Sequence, residues 1–518
     1  MTSHSVRSPL QLCAAATLCV ASLVGCTVGP DFVKPESGLG KTTLVPRQES
    51  ASTPLTSETR VPSQWWRLLN DALLTELQAR AQAENLDLQI ASERIEQSRA
   101  QLGIASAQSL PSVGAGASYD REGLSEHGKF VALGASSSPY DFWQLGFDAS
   151  WEIDLWGRAR RLREGAAAAL EATVYDREAA RVAVSAEVAR TYLQLRGTQA
   201  QLDIIQENLT IAEHILGLIE SRERNGIATR VETSSARARV ATIKASVPEL
   251  IQRRNALMNA LALLLGEKPR ALDARLRETL PLPSLATRIP IGVPSEWAHR
   301  RPDILHAEAQ LHAATAAIGV AKADFYPRIG LKGQIGVESF ESGDLFSWDS
   351  RFFSVGPTVY LPIFQGGRLT QRLALNEARQ KTAALAYRQT VLRAWHEVDN
   401  ALDAWTAQQR RHDELLVAYE QNKQALQAAE RGYQEGAADY LSVLTAQLNV
   451  LASQTRLNDS TTNVTLTVVN LYKSLGGGWD PDALKNTLRA GVDDSPVPSS
   501  EDPAARVSPV TSRSKADQ

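Results

Sequence analysis

Residues of the kinds that carry out chemistry are present, but their spacing does not build a reaction centre. Gly123–Lys129 follows the first seven positions of a phosphate-binding loop, yet Phe130 stands where a Ser or Thr would bind magnesium. His299 and His306 are seven positions apart with His312 close by, whereas zinc-binding histidines on a helix are usually about four apart. No nucleophile, base and orienting group occur together. We therefore predict that the chain is not an enzyme and has no metal or cofactor site.

Cysteine occurs only near the start of the chain, at Cys13, Cys19 and Cys26. This distribution excludes a zinc–cysteine site, a disulfide framework and a cysteine nucleophile in the body of the protein. One basic residue, Arg7, precedes an apolar run from Leu10 to Val24, which is the pattern of a secretory signal. The run is too short to span a bilayer, so we predict a cleaved signal rather than a membrane helix.

The end of this signal, Leu23-Val24-Gly25-Cys26, resembles the lipobox of bacterial lipoproteins. In those proteins the cysteine becomes the lipidated first residue of the mature chain, so the resemblance implies that Cys26 is the lipid attachment site. Its acyl chains would bury CH₂ groups in the bilayer. We expect residues 1–25 to be the signal peptide and residues 26–60, which are rich in Pro, Ser, Thr and Gly, to form an extended arm.

The overall charge does not favour a nucleic-acid partner. Lys and Arg total 55 against 58 for Asp and Glu, so the formal net charge is −3 and there is no basic excess to neutralise phosphates. Hydrophobic residues make up 43% of the chain, close to an ordinary soluble protein. No apolar run long enough for a transmembrane helix follows the signal, but membrane β-strands leave a much weaker trace.

The body of the chain consists of two copies of one sequence repeat. Three residues, Asp87, Gly103 and Pro111, recur 216 positions later as Asp303, Gly319 and Pro327. Three more, Glu187, Gly226 and Gly266, recur 210 positions later as Glu397, Gly436 and Gly476. Constant offsets over such a distance indicate duplication. We predict a first repeat over 61–285, a second over 286–480, and a disordered, Ser- and Pro-rich tail over 481–518.

Each repeat is predicted to contain helices, a pair of strands and a very long helical hairpin. A helix over 72–108 ends before Pro111, and apolar and polar residues then alternate through two strand pairs, at about 112–155 and 328–364. Long Pro-poor segments then predict helical hairpins at about 164–266 and 369–476.

The turns of these hairpins are predicted at Gly226 and Gly436. Two sets of apolar residues recur every seven positions in the first hairpin, as a coiled-coil seam requires: Leu202, Leu209 and Leu216, and Ile205, Ala212 and Ile219.

Strict alternation places one face of each strand in an apolar environment and the other in a polar one. A soluble antiparallel sheet is one solution and an outer-membrane barrel is the other. Four strands cannot close a barrel, and an open edge in lipid leaves backbone groups unsatisfied at several kcal/mol each. Two chains would give eight strands with a filled interior, whereas three give twelve with room for a lumen. We therefore expect a mainly α protein whose trimeric 12-stranded membrane β-barrel, with four strands per chain, continues as a long α-helical coiled-coil tube.

Four segments carry a resemblance to a known family. They are Cys26–Pro35 (CTVGPDFVKP), Trp151–Arg158 (WEIDLWGR), Arg301–Ile304 (RPDI) and Leu361–Arg368 (LPIFQGGR). Through these segments the chain resembles the TolC-like outer-membrane factors, specifically the NodT-type efflux outer-membrane lipoproteins, over about residues 24–480.

The resemblance implies a homotrimer in outer-membrane lipid that docks onto a periplasmic adaptor (membrane fusion) protein and an inner-membrane pump of the resistance-nodulation-division type. Such a trimer is the exit duct of a tripartite efflux pump, passing drugs or other small toxicants unchanged to the exterior of a Gram-negative cell. One alternative keeps the same architecture and is a duct for type I protein secretion. A second alternative is a coiled-coil scaffold that transports nothing and has neither a barrel nor a trimer.

In this family the periplasmic end of the tube closes near the turns of the helical hairpins. Leu441 matches the hydrophobic gate position, and Thr445 stands where many relatives have a carboxylate, which argues against a strongly acidic gate. Glu232 aligns with an acidic gate position of some relatives, and Asp439 lies nearby in the second turn. The resemblance implies these four residues as gate candidates, with solvated turn residues as the alternative for the two acids.

Overall fold

The computed structural model describes residues 27–35, 55–56, 61–283, 289–292 and 300–481. Cys26, the predicted signal peptide and nearly all of the predicted tail therefore lie outside the described residues. The chain divides into two compact units, Met1–Gly478 and Trp479–Gln518, and every element described below belongs to the first.

Helices account for most of the described residues. The helices are α1 (Ala72–Glu84), α2 (Leu86–Ala107), α3 (Arg158–Arg224), α4 (Arg230–Leu264), α5 (Pro302–Ala323), α6 (Arg368–Gln434) and α7 (Tyr440–Ser474). The strands are β1 (Ser112–Glu122), β2 (Tyr140–Ile153), β3 (Arg328–Ser339) and β4 (Arg351–Tyr360). Shorter pieces are Leu55–Thr56, Trp65–Leu69, Lys129–Ala132, Asp273–Leu276, Ile289–Pro290 and Trp348–Ser350.

Equivalent helices of the two halves have matching lengths. The pair α2 and α5 has 22 residues each, α3 and α6 have 67 each, and α4 and α7 have 35 each. The limits of the two repeats, 61–285 and 286–480, stay predictions.

The helix predicted over 72–108 is wrong in one respect, because the structure has two helices that meet at Asn85. This residue is extended (φ −64°, ψ 125°), and its side chain accepts a hydrogen bond from the Leu88 backbone, 3.1 Å away. Its amide also donates to the Leu264 carbonyl at 2.9 Å. Asn85 therefore caps the start of α2 and also bonds to the end of α4. These bonds favour ending α1 at this residue over continuing it as one helix.

The four strands form one antiparallel sheet in the order β1-β2-β3-β4. Its register places the large apolar residues of neighbouring strands side by side, so that Phe147 pairs with both Ala115 and Ile335, and Ile335 pairs with Phe353. The sheet therefore has one continuous apolar face, as the alternation predicted. Within the described residues, β1 and β4 each pair along one edge only.

Two strands end sooner than the alternation predicted. β2 stops at Ile153 because Asp154 turns to the following helix, where its carboxylate accepts the backbone N–H groups of Ala159 and Arg160 at 3.1 and 2.9 Å. This cap also starts α3 at Arg158, earlier than the predicted start near Glu164. β4 stops at Tyr360, because Pro362 has no N–H to continue the ladder.

The helical hairpins are α3–α4 and α6–α7. At 1.5 Å per residue, a helix of 67 residues is about 100 Å long. Gly226 and Gly436 have φ of +72° and +76° in the two turns, which glycine adopts without the steric cost of a side chain. In the first hairpin, the predicted seam residue Leu209 packs with Val240 and Ile243 of the returning helix.

The main core lies where α1, α3, α4, α6 and α7 meet. Trp65 and Trp405 are fully buried there, and the Trp65 ring stacks on Tyr472 with 5.4 Å between ring centroids. No helix in the described ranges combines the length and apolarity needed to cross a membrane.

Candidate duct and gate sites

Leu441 lies in the first turn of α7, next to the second hairpin turn. Its side chain is 65% exposed, and Thr445, one turn later, donates its hydroxyl to the Leu441 carbonyl at 2.8 Å. Leu448, a further turn along, is also exposed. These residues recur at helical spacing, so α7 carries an uncovered stripe along one face.

Asp439, the second acid among the predicted gate residues, caps α7. Its carboxylate accepts the Ser442 backbone N–H at 2.9 Å and the Ser442 hydroxyl at 2.6 Å. Hydrogen bonds to the charged form lower the pKa of this carboxyl below its usual value. The structure thus gives Asp439 a structural role at the turn.

Glu232 takes part in capping the start of α4 in the first hairpin, where it forms a capping box with Thr229. Its carboxylate accepts the Thr229 backbone N–H at 2.6 Å, while the Thr229 hydroxyl accepts the Glu232 backbone N–H at 3.3 Å. The hydrogen bonds that the Thr229 backbone N–H and hydroxyl both donate to this carboxylate lower the pKa of Glu232. The Thr-x-x-Glu pattern at 229–232 is the signal from which this role could have been found in the sequence.

The two hairpin turns contact one another. The Arg222 guanidinium, at the end of α3, lies 5.1 Å from the centre of the Tyr433 ring at the end of α6. The Tyr433 ring in turn meets Tyr440 edge-on at 6.0 Å. The structure therefore brings the gate candidates of the two hairpins to neighbouring turns, although the resemblance named them separately.

The histidines have separate structural contacts. His306 Nδ1 lies 3.0 Å from an Asp176 carboxylate oxygen, and His312 Nε2 lies 2.9 Å from Glu164. His299 lies outside the described residues. Within the ranges that the structure describes, no three His, Cys, Asp or Glu side chains converge as metal ligands would.

A charge cluster joins the sheet to the helices, and sequence reasoning missed it. The Asp324 side chain is buried just after α5, and its carboxylate lies 2.7 Å from Arg328 and 3.2 Å from both Arg158 and Arg372. These arginines come from the start of β3, α3 and α6. Because Arg158 and Arg372 are distant in sequence from Asp324, no local pattern signals the whole cluster.

The described piece of the N-terminal arm, residues 27–35, lies against the same junction. The Val28 backbone N–H donates to the Trp156 carbonyl at 3.1 Å, and the Asp31 carboxylate pairs with the buried Arg161 at 2.5 Å. The segment that follows Cys26 is thus fastened where the strands end and the long helices begin.

Comparison with known proteins places this architecture. The family model for outer membrane efflux proteins matches residues 77–267 and 293–477, one match in each half of the chain. OprJ, an outer membrane protein of Pseudomonas aeruginosa, is 33% identical over 470 residues, which cover 90% of this chain and 96% of OprJ. The pyoverdine export outer membrane protein OpmQ of Pseudomonas putida is 34% identical over 422 residues, covering 81% and 89%.

Solved structures agree with the sequence relatives. The outer-membrane channel OprN superposes with a TM-score of 0.80 at 32% identity, over 88% of this chain and all of OprN. The CmeC channel of Campylobacter jejuni superposes with a TM-score of 0.78 at 25% identity, over 90% and 98%. The predicted fold class, outer-membrane location and efflux function are confirmed, and the relatives are transport proteins rather than enzymes. The chain belongs to the outer membrane efflux protein family.

Proposed function

We propose that three copies of the chain form a single exit duct, in which twelve strands close a barrel and the helical hairpins form the periplasmic tube. The observation that carries this proposal is the four-stranded sheet, which has an apolar face and two free edges in the described chain. A free edge in lipid is costly, and pairing β1 of one copy with β4 of the next removes it.

The apolar face is the lipid contact in this arrangement. Phe147, Ile335 and Phe353 are paired on it and are 60%, 62% and 80% exposed in the single chain. The opposite face carries Asp148 and Gln334, which pair with each other and suit a water-filled lumen.

We infer that Cys26 carries a lipid anchor and that this anchor lies at the end of the barrel where the strands meet the long helices. The arm that begins one residue later is bonded to Trp156 and Arg161, where the strands meet the long helices. An acylated Cys26 would therefore lie near the periplasmic rim of the barrel, within reach of the membrane surface.

The proposed partners are a periplasmic adaptor and an inner-membrane pump of the resistance-nodulation-division type, which supplies the energy. TtgI of Pseudomonas putida, a toluene efflux pump outer membrane protein, is 31% identical over 461 residues and supports a pump assembly with small organic cargo. OpmQ, a pyoverdine exporter, supports efflux of small molecules rather than protein secretion.

For the gate, we propose that Leu441 and Thr445 face the lumen at the narrow end of the tube. Their support is the exposed stripe of α7, which no other part of the described chain covers. In a trimer each position becomes a ring, and a ring of leucines blocks water and ions by dewetting. Glu232 and Asp439 lie at the neighbouring turns, where we propose that they cap helices and set the charge around the aperture.

The test is reconstitution of the purified full-length protein. We expect a trimer by mass measurement in detergent, and discrete channels in a planar lipid bilayer. A monomer that never conducts would overturn the duct. Loss of resistance to several unrelated small toxicants on deletion of the gene, with protein secretion unchanged, would assign the duct to efflux.

A further inference from the structure

The two helical hairpins enclose a cleft, which α7 borders with residues other than those of its exposed stripe. It has a volume of about 220 Å³. Ile211, Ile215 and Ile243 of the first hairpin form one apolar wall, and Leu426 and Leu444 of the second form the other. Residues of both hairpins of one chain line the cleft, and neither of the proposed lumen residues, Leu441 and Thr445, borders it.

Tyr440 and Arg239 are among the polar residues of this cleft that have no partner within the described part of the chain. The hydroxyl of Tyr440 is buried and makes no hydrogen bond there. Arg239, which is only partly exposed, lines the same cleft and has no hydrogen bond or ion pair with any described residue. Burial lowers the pKa of Arg239 from its usual value, since leaving water penalises the charged form.

The nearby acids do not compensate Arg239. Glu207 and Glu430 also border the cleft, but in the described residues neither carboxylate comes within ion-pair distance of this guanidinium. By contrast, Arg237, on the same helix but outside the cleft, pairs with Glu220 at 2.9 Å. An arginine without a counter-ion, beside a free hydroxyl and between apolar walls, fits a ligand that brings its own negative charge.

We propose that this cleft binds a small amphipathic carboxylate. Its carboxylate pairs with Arg239 and accepts the Tyr440 hydroxyl, and its aromatic or short aliphatic body packs between the isoleucine and leucine walls. The cleft is smaller than the pockets that hold drug-sized ligands. Its ligand is therefore a compact organic acid, smaller than many of the molecules that a wide duct can pass.

The experiment measures binding of 1-naphthoate to the purified full-length protein by titration calorimetry. We expect saturable binding that Arg239→Gln weakens about 10- to 100-fold, since hydrogen bonds to charged groups are among the stronger ones. Tyr440→Phe, which removes only the hydroxyl, should weaken binding about 2- to 10-fold. Arg237→Gln is the matched control, because it removes a charge from the same helix outside the cleft, and it should bind like the wild type.

A neutral analogue, 1-naphthalenemethanol, separates charge recognition from simple apolar partitioning in the unaltered protein, independently of how any variant folds. We expect it to bind at least about tenfold more weakly than 1-naphthoate. The proposal is overturned by equal binding of the two compounds, by no saturable binding of 1-naphthoate, or by an equal loss in the Arg237 and Arg239 variants. These measurements do not depend on conduction, so their failure is distinct from failure of the duct.

Discussion

Replacing Ile335 by lysine tests which face of the sheet meets lipid. Ile335 is the eighth residue of β3 and lies between Phe147 and Phe353 on the apolar face. At about 3.3 Å per residue, roughly 13 Å of strand separates it from the nearer end of β3 at Ser339. The side chain is therefore placed well within the apolar band of the proposed barrel.

The cost of the substitution follows from this depth. A lysine on the lipid face of a barrel costs about 2–4 kcal/mol at the bilayer midplane and about 0–1 kcal/mol near the interfaces. We take about 2 kcal/mol for Ile335→Lys, which is roughly a 30-fold shift in the folding equilibrium of each copy. Because a trimer carries three such lysines, the penalty per assembly is about 6 kcal/mol.

The assay is assembly of urea-unfolded protein into phosphatidylcholine vesicles, followed by the yield of native trimer as a function of urea. Gln334→Lys is the matched control, because it adds the same charge one residue earlier, on the opposite face and opposite Asp148. We expect the control to stay within about 0.5 kcal/mol of the wild type, as surface substitutions usually do.

Two results would refute the reasoning. If Ile335→Lys assembles normally while Gln334→Lys fails, the apolar face lines the lumen and the proposed orientation is reversed. If both variants assemble as well as the wild type, the sheet does not form a membrane barrel.

Three other predictions concern the gate, the anchor and the capping box. Leu441→Ser should raise ion leak through closed channels in planar bilayers, and unchanged conductance would remove Leu441 from the gate. Cys26→Ala should abolish incorporation of labelled palmitate, and persistent labelling would contradict the anchor. Above pH about 4.3, the usual pKa of glutamate, the wild type should be more stable to urea than Glu232→Gln. Because the folded pKa of Glu232 is lowered, this advantage should disappear as the pH falls through that lower value, and a pH-independent difference would rule out the carboxylate cap.

Features that depend on neighbouring residues were predictable from the sequence. The alternation of β2 and β3 indicated the apolar face, and Gly226 and Gly436 marked the turns, because glycine relieves the strain of a positive φ. The remaining errors lie at element ends, where one side chain decides the boundary. Asn85 splits the predicted helix, and Asp154 starts α3 early.

Features that depend on which helix faces meet were not predictable. Asp324 forms ion pairs with arginines from three other elements. The polar residues of the cleft, Arg239 and Tyr440, belong to different hairpins. For the candidate gate, the resemblance indicated the turns, and the Thr-x-x-Glu pattern could have shown that Glu232 caps a helix, whereas the bonds from Ser442 to Asp439 were found only in the structure. The lumen-facing side of α7 remains a prediction, because it depends on neighbouring copies.

The free edges of the sheet have a genetic consequence. If β1 of each copy pairs with β4 of the next, one copy with a defective edge strand prevents closure of the barrel in any trimer that contains it. This holds even when the other two copies are normal. In a cell that carries a normal and an altered gene, random mixing leaves only a minority of trimers wholly normal. Edge-strand alleles should therefore be dominant, whereas alleles that prevent export of the chain should be recessive.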